Sequence, residues 1–401
     1  TIGTFEGFGN NNGTAAFIDN VTISAGSTVL GNTAGEVGGT FAVTDGTLNL
    51  ANNLTAGVID ISTTDATTLN GDVTLAAAGN VGFAGTVDGN HSLTVNAAGT
   101  TSFGAEVGGQ TPLQVLLVAN ATELSANVTT VLGQQYGDTT LAGDVTATST
   151  SNLPINFLGT LNGNASLVTA TTGDTTFNGT VGGATPLASV ETGGNVTVNG
   201  NISTLGAQLF GGRATLVADA VFASAADGDV DFRGDVTSFA AARAITVNTG
   251  GNTTFGGTVS CVTDVTTDAG GTTTLSGNVT TTNNQTYGDD VNLAASVTLT
   301  GVDDTFGGNI TGNGNDLTLN FSDVTTINGA THIGLGNLTV TGGGTTELNG
   351  TIATAGFQNY AEPVQLLGNT SLSGSTLSLA GGVEGATNSL DLNFTSTTAL
   401  G

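Results

Sequence analysis

Thr101-Ser-Phe-Gly-Ala-Glu-Val-Gly108 is the first clear copy of a marker that recurs along this chain and decides its fold. Its later copies are Thr175-Thr-Phe-Asn-Gly-Thr-Val-Gly182, Thr253-Thr-Phe-Gly-Gly-Thr-Val-Ser260 and Thr325-Thr-Ile-Asn-Gly-Ala-Thr-His332. A second marker reads Gln134-Gln-Tyr-Gly-Asp138, Gln208-Leu-Phe-Gly-Gly212, Gln285-Thr-Tyr-Gly-Asp289 and Gln358-Asn-Tyr-Ala-Glu362. The start-to-start offsets are 74, 78 and 72 for the first marker and 74, 77 and 73 for the second. Two markers that recur in step predict a repeat array, in which each unit contacts only its neighbours.

The composition favours strands over helices. The 401 residues include 64 glycines, no Met and no Trp, and the basic residues are three arginines. Helix-forming Lys, Arg, Gln and Glu are scarce, whereas β-branched Thr and Val are abundant. The chain is therefore predicted to be all-β.

A shorter period of about 20 residues runs inside each block of about 75. Segments such as Leu93-Thr-Val-Asn96 and Leu317-Thr-Leu-Asn320 alternate apolar and polar residues, which predicts strands with one buried face. Gly and Asn follow them and supply the corner conformations. About 20 residues is the length of one coil of a parallel β-helix. We therefore expect a β-solenoid whose stacked coils share one apolar interior, with three or four coils to a block.

The array has two unusual ends. Residues 1–40 fit the repeat least well and are predicted to form an atypical N-terminal coil or coupling segment, while 41–401 form one continuous array. Near the other end, Asn388–Phe394 matches Asn315–Phe321 at an offset of 73, and the match stops inside a coil. An open coil edge invites pairing with another chain, so either the chain is a piece of a longer polypeptide or the next subunit supplies the missing half-coil. For the second case we expect head-to-tail assembly with copies of the same chain.

The charge balance excludes some partners. The formal net charge is −28, although only 8% of the residues are charged. Nucleic acid and anionic membrane surfaces are excluded as partners, because both require clustered Lys and Arg. No apolar run is long enough for a membrane helix. The acidity favours a solvated, self-repelling surface, with divalent-cation binding as the alternative.

The densest acidic cluster is Asp227-Gly-Asp-Val-Asp231. On a strand, Asp227, Asp229 and Asp231 would share one face, where carboxylate oxygens could bind Ca²⁺. The spacing matches no EF-hand, and a solvated acidic strand is the alternative. Calcium at these three residues is the one cofactor that the sequence raises.

The residues that could support catalysis are few, and we predict that the chain is not an enzyme. Arg213, Arg233 and Arg243 are spaced so that they could line one face, as a polysaccharide-active β-helix would need, but Lys is absent. Arg233-Gly-Asp235 spells an integrin-binding tripeptide that is also expected by chance.

Three other reactive side chains are assigned structural places. Cys261 replaces a small residue of the repeat and is predicted to be a buried small hydrophobe rather than a nucleophile. His91 and His332 are expected at corners of the coils, too far apart to share a site.

The recurring Gly-Asn-x-Leu-Thr-Val-x-x-Gly-Thr-Thr-x-Phe-x-Gly-x-Val text and the Gln-Thr-Tyr-Gly-Asp-x-Val-x-Leu text resemble the repeats of large bacterial surface proteins. These are the filamentous-haemagglutinin-like and autotransporter-adhesin-like proteins, and the resemblance extends from about residue 40 onward. It implies a right-handed parallel β-solenoid, secretion, and work at the cell surface as a fibre or adhesin. The secretion domain and membrane barrel of such proteins are not found in this sequence.

Two functions follow from these observations, with a third kept as a minority alternative. The first is a structural subunit or segment of a secreted extracellular or cell-surface fibre. The second is an adhesin stalk that attaches to cells, surfaces or glycans. The third is a β-helix enzyme acting on polysaccharides.

Overall fold

The chain folds into stacked coils of parallel β-strands. The computed structural model describes residues 21–23, 28–30, 35–328, 331–385, 387–396 and 398–400. Over these ranges every element is a strand, every strand pair is parallel, and the strands make about 18 coils. This confirms the predicted all-β β-solenoid. The atypical segment predicted at 1–40 lies mostly outside the described residues, and its boundary stays a prediction.

The chain divides into two compact units, Thr1–Thr197 and Val198–Gly401. In each unit a coil contributes three short strands, and equivalent strands of successive coils pair into three columns, which we call ladders. The strand Val196–Val198 lies at the division.

The first unit contains ladders A, B and C. Two long strands, Gly35–Val43 and Leu54–Ile61, turn a corner and contribute first to ladder A and then to ladder B. Ladder A continues with Val73–Ala77, Leu93–Ala97, Leu116–Val118, Gln134–Tyr136, Ile155–Phe157 and Thr175–Phe177. Ladder B begins with Val21–Ile23 and continues with Val81–Phe83, Thr101–Phe103, Thr122–Leu124, Thr139–Leu141 and Leu161–Asn162. Ladder C comprises Thr28–Leu30, Leu48–Leu50, Thr67–Leu69, Val87–Asp88, Val128–Thr130, Val145–Ser149, Ser166–Ala170 and Ser189–Thr192.

The second unit contains ladders D, E and F, and again some long strands serve two ladders. Ladder D comprises Ala214–Leu216, Val236–Ser238, the start of Val259–Thr267, Val279–Thr281, Val297–Gly301, Leu317–Phe321, Leu338–Thr341, Gln358–Tyr360, Leu377–Leu379 and Thr398–Leu400. Ladder E comprises Ile202–Thr204, Ala220–Ser224, Arg243–Thr249, the end of Val259–Thr267, Gln285–Tyr287, Asp304–Phe306, Val324–Ile327, the start of Thr345–Thr354, the start of Val364–Gly374 and Val383–Glu384. Ladder F comprises Gln208–Phe210, Val230–Phe232, Thr253–Phe255, Thr272–Leu275, Asp290–Leu293, Ile310–Thr311, Thr331–Leu335, the ends of Thr345–Thr354 and Val364–Gly374, and Leu390–Phe394.

The alternation of side chains explains why these segments form strands. In Leu93–Ala97 the apolar members Leu93, Val95 and Ala97 are buried, whereas Asn96 is exposed. Side chains at i and i+2 of a strand share one face, so each strand sends its apolar members inward. Register partners repeat the pattern from coil to coil, as with Leu93 and Val73. Burying one such Val or Leu contributes about 1.5–3 kcal/mol, and no coil could enclose these residues without its neighbours.

The coil length varies around the predicted value. Register partners lie 17 residues apart where Thr122 faces Thr139, and 25 apart where Ala220 faces Ile245. The extra residues are accommodated at corners between strands, where a change of length leaves the hydrogen-bonded ladders intact. The value of about 20 residues per coil is thus an average, because the strands keep their register while the number of residues in the corners varies.

Aromatic rings from successive coils stack inside the solenoid. Phe83 lies on Phe103 with ring centroids 5.3 Å apart, and Phe232 lies on Phe255 at 5.4 Å. Each pair is in register across neighbouring coils of one ladder. Stacked aromatic pairs of this kind stabilise a core beyond their area of contact. These four phenylalanines are buried and fill the core of their coils.

The long sequence repeat does not equal a whole number of coils. In the second unit the marker glutamine Gln208 lies on ladder F, Gln285 lies on ladder E and Gln358 lies on ladder D. A spacing of 77 or 73 residues corresponds to three and two-thirds coils of about 20 to 21 residues. Equivalent residues of successive repeats therefore occupy different ladders in turn.

Candidate functional site

A groove on the outside of ladder B is the candidate surface site. Its floor consists of Gly82 and Ser102 on two neighbouring coils, and Asp60 and Glu123 lie on the coils to either side. These four residues occupy equivalent outward positions of the ladder. The groove encloses about 280 Å³, and small side chains form its rim: Ser62, Ala84, Gly104 and Ser125.

The groove exists because two coils carry minimal side chains where their neighbours carry carboxylates. Gly82 has no side chain, and a Cβ at that position would lie 3.3 Å from Oγ of Ser102. Asp60 and Glu123 are exposed and three coil steps apart, which corresponds to about 14 Å at ~4.8 Å per strand spacing. The carboxylates and the Ser102 hydroxyl offer hydrogen-bond acceptors over a length suited to a ligand rich in hydroxyl groups.

The three aspartates predicted to bind calcium do not alternate along one strand. Only Asp231 lies on a strand, whereas Asp227 follows the turn at Ala225 and Ala226 with φ of 58°, and Asp229 precedes the strand. Asp229 and Asp231 make polar contacts with different partners. Asp229 accepts a hydrogen bond from the backbone N–H of Asn252 at 2.8 Å, and Oδ2 of Asp231 lies 3.2 Å from Nε of Arg233. The expected shared face is wrong because the strand begins at Val230, after two of the three aspartates; calcium at these residues stays a prediction.

Asp229 belongs to a recurring contact that joins one coil to the next. An Asp or Asn oxygen at a corner accepts a hydrogen bond from a backbone N–H between 19 and 25 residues further along. The following pairs share this geometry: Asn53 with Thr74, Asp72 with Ser92, Asn80 with Thr100, Asp138 with Thr160, Asp144 with Ser166, Asp235 with Thr258, Asp290 with Asn309, Asp316 with Asn337 and Asn369 with Ser389. We call these contacts corner clasps. Many carboxylates therefore have a structural task, because they satisfy backbone donors that the ladders leave open.

The corner clasp of Asp235 also holds the aspartate of the Arg-Gly-Asp tripeptide in place. Oδ1 of Asp235 accepts hydrogen bonds from both the backbone N–H and the hydroxyl of Thr258, each at 2.8 Å. These bonds hold the pKa of Asp235 below its usual value. Arg233 is exposed, and its guanidinium contacts Asp231. The aspartate of the tripeptide is thus engaged with the next coil of its own chain.

The three arginines do not line one face of the second unit. Arg213 and Arg233 follow the ladder F strands of two successive coils, and the backbone of Gly234 lies against Gly212 and Arg213. Arg243 instead begins a strand of ladder E. Two arginines therefore share a corner, and the third lies at another.

Cys261 is exposed, so the expectation of a buried small hydrophobe is wrong. The residue lies in Val259–Thr267 where the register shifts between Val259 and Val262, and its φ is 58°. The irregularity turns the thiol side chain outward while its neighbours Val259 and Val262 remain buried. A bulge of this kind places an extra residue out of the alternation.

His332 also lies elsewhere than predicted. It belongs to Thr331–Leu335 on ladder F and is fully buried, whereas His91 lies in a turn between strands as expected. Nδ1 of His332 accepts a hydrogen bond from the backbone N–H of Ile310 at 3.0 Å. Burial lowers the pKa of His332 to about 4, so the imidazole is neutral near pH 7. It replaces a strand-to-strand backbone contact with a side-chain acceptor.

Buried carboxyl groups occur inside the second unit. Asp289 accepts hydrogen bonds from the hydroxyls of Thr267 and Thr273 at 2.8 to 3.0 Å, and burial raises its pKa. Asp304 is buried more completely, and burial raises its pKa well above the usual value. No cluster of three or more His, Cys, Asp and Glu side chains suited to a metal ion occurs within the described ranges. In the same part of the chain no helix is long and apolar enough to span a membrane.

The geometry defines the class of protein: a parallel β-solenoid repeat protein. Comparison of the chain with protein-family models, with curated proteins and with solved structures gives no match.

Two features of these sites were missed at the level of sequence. The corner clasps have a visible signal, because Asp72, Asp144 and Asp316 each immediately precede the first buried residue of a strand. The groove of ladder B has none, because Asp60 and Glu123 lie far apart in the chain and only the register places them on one line.

Proposed function

We propose that the chain is a structural subunit or segment of a secreted fibre, at the cell surface or in the extracellular space. The coils stack end to end, and the work of the protein is mechanical. The observation that carries this proposal is the pairing of successive coils along three ladders in the described part of each unit. A chain pulled along its axis would have to break rows of such bonds together.

The mode of assembly follows from the same hydrogen bonds. Wherever a stack of parallel coils ends, its last coil presents unpaired N–H and C=O groups along the axis, which favours the addition of another coil. Two chains that meet in this way form a heterologous contact that does not close on itself. The net charge of −28 opposes lateral contact and leaves the ends as the favoured place of association. The right-handed winding implied by the resemblance stays a prediction.

Negative-stain microscopy and sedimentation of the purified chain test this proposal. We expect filaments of uniform width whose length grows with protein concentration. Added NaCl should promote their growth, because salt screens the repulsion between acidic chains. Single particles at every protein and salt concentration would contradict end-to-end assembly.

The groove of ladder B favours a second candidate, an adhesin stalk that binds glycans. Two carboxylates and a serine hydroxyl along an open groove can accept hydrogen bonds from sugar hydroxyls, and a glycine floor allows close approach. Binding of the purified chain to immobilised glycans tests this function. The double change Asp60→Asn and Glu123→Gln should abolish binding, and Asp45→Asn, at a corner outside the groove, should not. Equal binding by both variants would exclude the groove.

A further inference from the structure

The outer face of ladder D carries polar side chains in two parallel columns. In Val297–Gly301 the outward residues Thr298 and Thr300 alternate with buried apolar residues. Register partners continue each column from coil to coil without a shift. We call these side chains the hydroxyl face: the first column is Thr298, Thr318, Thr339, Asn359 and Ser378, and the second is Thr280, Thr300, Asn320 and Thr341.

The ladder fixes the spacing of the hydroxyl face in two directions. Neighbours within a column are one strand spacing apart, about 4.8 Å. The two columns are separated by two residues of one strand, or about 6.6 Å at ~3.3 Å per residue. The four steps from Thr298 to Ser378 give the first column a length of about 19 Å. The hydroxyl face is thus a regular mesh of hydrogen-bonding groups.

The strands behind the hydroxyl face hold it in place. Leu299, Leu319 and Val340 are register partners in successive coils, and all three are fully buried on the inner side of those strands. At the corner before the face, Oδ1 of Asn278 accepts a hydrogen bond from the backbone N–H of Thr298 at 2.8 Å. A surface whose groups are already ordered loses little entropy when it binds a partner.

The hydroxyl face is uncharged, although the chain carries a formal net charge of −28. The strands that form it, from Val279–Thr281 to Leu377–Leu379, contain no Asp, Glu, Lys or Arg. Every side chain of the face is at least partly exposed. Each hydroxyl can donate and accept hydrogen bonds, and each threonine adds a methyl group beside its hydroxyl. Such a surface suits a partner that is neutral, forms hydrogen bonds and is itself periodic.

A column of threonines on ladder E shows what a single column lacks. Its members occupy one outward position in each of four successive coils: Thr246, Thr266, Thr286 and Thr305. In Gln285–Tyr287 and Asp304–Phe306 the threonine is the one outward residue, so no second column runs beside it. The two-dimensional mesh of ladder D is the feature that a crystalline partner can match.

We propose that the hydroxyl face of ladder D binds ice. Ice is a neutral lattice in which every water molecule donates and accepts hydrogen bonds, and its oxygens repeat at distances similar to those of the mesh. Hydroxyl and amide groups at this spacing can hold a first layer of water in lattice positions, and water-mediated hydrogen bonds are nearly as favourable as direct ones. Charged groups would instead orient water around themselves. The inference does not depend on assembly into a fibre.

Slow growth of ice in a dilute solution of the full chain tests this proposal. Wild type should be enriched in the ice fraction relative to serum albumin, and it should separate the freezing point from the melting point of small ice crystals. The double change Thr318→Lys and Thr339→Lys places charges in the middle of the hydroxyl face and should abolish both effects. The double change Thr266→Lys and Thr286→Lys is the matched control on ladder E and should retain them. Circular dichroism verifies that each variant is folded.

Three results would overturn the proposal. The first is exclusion of wild type from ice to the same extent as albumin, which needs no variant. The second is an equal effect of the two double changes on the enrichment in ice. The third is adsorption of wild type to powdered chitin or cellulose that the ladder D change removes, without enrichment in ice, since the face would then bind a crystalline polysaccharide.

Discussion

The hydroxyl of Tyr136 donates a hydrogen bond to Oε1 of Gln134 across 2.7 Å, and both side chains are fully buried. Nε2 of Gln134 in turn donates to the backbone carbonyl of Thr148 at 2.8 Å. The second sequence marker therefore forms a buried hydrogen-bonded pair inside the apolar core. The glutamine Nε2 links its strand to a strand of the next coil, and the tyrosine hydroxyl donates to the glutamine Oε1. The same arrangement recurs at Tyr287 with Gln285 and at Tyr360 with Gln358.

The copy at Gln208 lacks the phenol and provides an internal comparison. Phe210 occupies the tyrosine position, and Oε1 of Gln208 has no hydrogen-bond partner. We expect Phe210→Tyr to raise the free energy of unfolding by about 1 kcal/mol, because it supplies the missing donor. Tyr136→Phe should lower it by about 1–3 kcal/mol by creating the same unpaired acceptor.

Urea denaturation measures both changes. Phe232→Tyr is a suitable control, because this buried ring lies beside Phe210 with no glutamine two residues before it. It should destabilise the chain by adding an unpaired hydroxyl. If Phe210→Tyr destabilises as much as the control, the acceptor of Gln208 is not accessible to the added hydroxyl.

The corner clasps predict a difference between two substitutions at one residue. Oδ1 of Asp138 accepts hydrogen bonds from the backbone N–H and the hydroxyl of Thr160 at 2.7 and 3.0 Å. Asp138→Asn keeps an oxygen acceptor and should change stability little, whereas Asp138→Ala should cost about 1 kcal/mol or more. Thermal unfolding of both variants in parallel decides the point. Equal losses would mean that charge, rather than hydrogen bonding, matters at the corner.

His332 predicts a loss of stability in acid. Its pKa is about 4 in the folded chain, against an ordinary value near 6.5. The unfolded state therefore binds a proton first as the pH falls, and stability is lost between about pH 6.5 and 4, by roughly 3 kcal/mol in all. His332→Gln keeps an acceptor without the titration, so its stability relative to wild type should improve over this range. The comparison is made as a difference, because buried Asp304 titrates with the opposite sign. A constant difference between pH 7 and pH 4.5 would contradict the assignment.

The rotation of the marker between ladders predicts which deletions the second unit tolerates. Removal of residues 208–284 joins Ala207 to Gln285 and replaces each lost strand by its equivalent in the next repeat. The shortened chain should fold with a similar melting temperature. Removal of 208–273 instead joins a corner to the middle of Thr272–Leu275 and should fold poorly. Circular dichroism and thermal unfolding compare the two.

The folded chain should resist trypsin. Its cleavable bonds follow Arg213, Arg233 and Arg243. The backbone N–H of Arg233 donates to Phe210 at 3.0 Å, and that of Ala214 donates to Asp235 at 2.8 Å, so these corners are held between coils. Cleavage requires local opening of the coils. Rapid digestion of native protein at these sites, measured by mass spectrometry, would show that the corners open readily.

The fold was predictable because its signal is local and repeated. Alternation in segments such as Leu93–Ala97 and turn residues at constant spacing give both the strand and the coil without knowledge of distant contacts. The errors lie where a single residue departs from the repeat. Cys261 occupies a bulge, and His332 lies in the core and not at the expected corner. Sequence alone could not show either, because register shifts and burial depend on the neighbouring coils.

The passage of Gln208, Gln285 and Gln358 through three different ladders has a consequence for the interior of the second unit. Because these glutamines are buried, each repeat sends its polar amide into the core from a different wall. The amides are thereby distributed around the core instead of accumulating along one side of it.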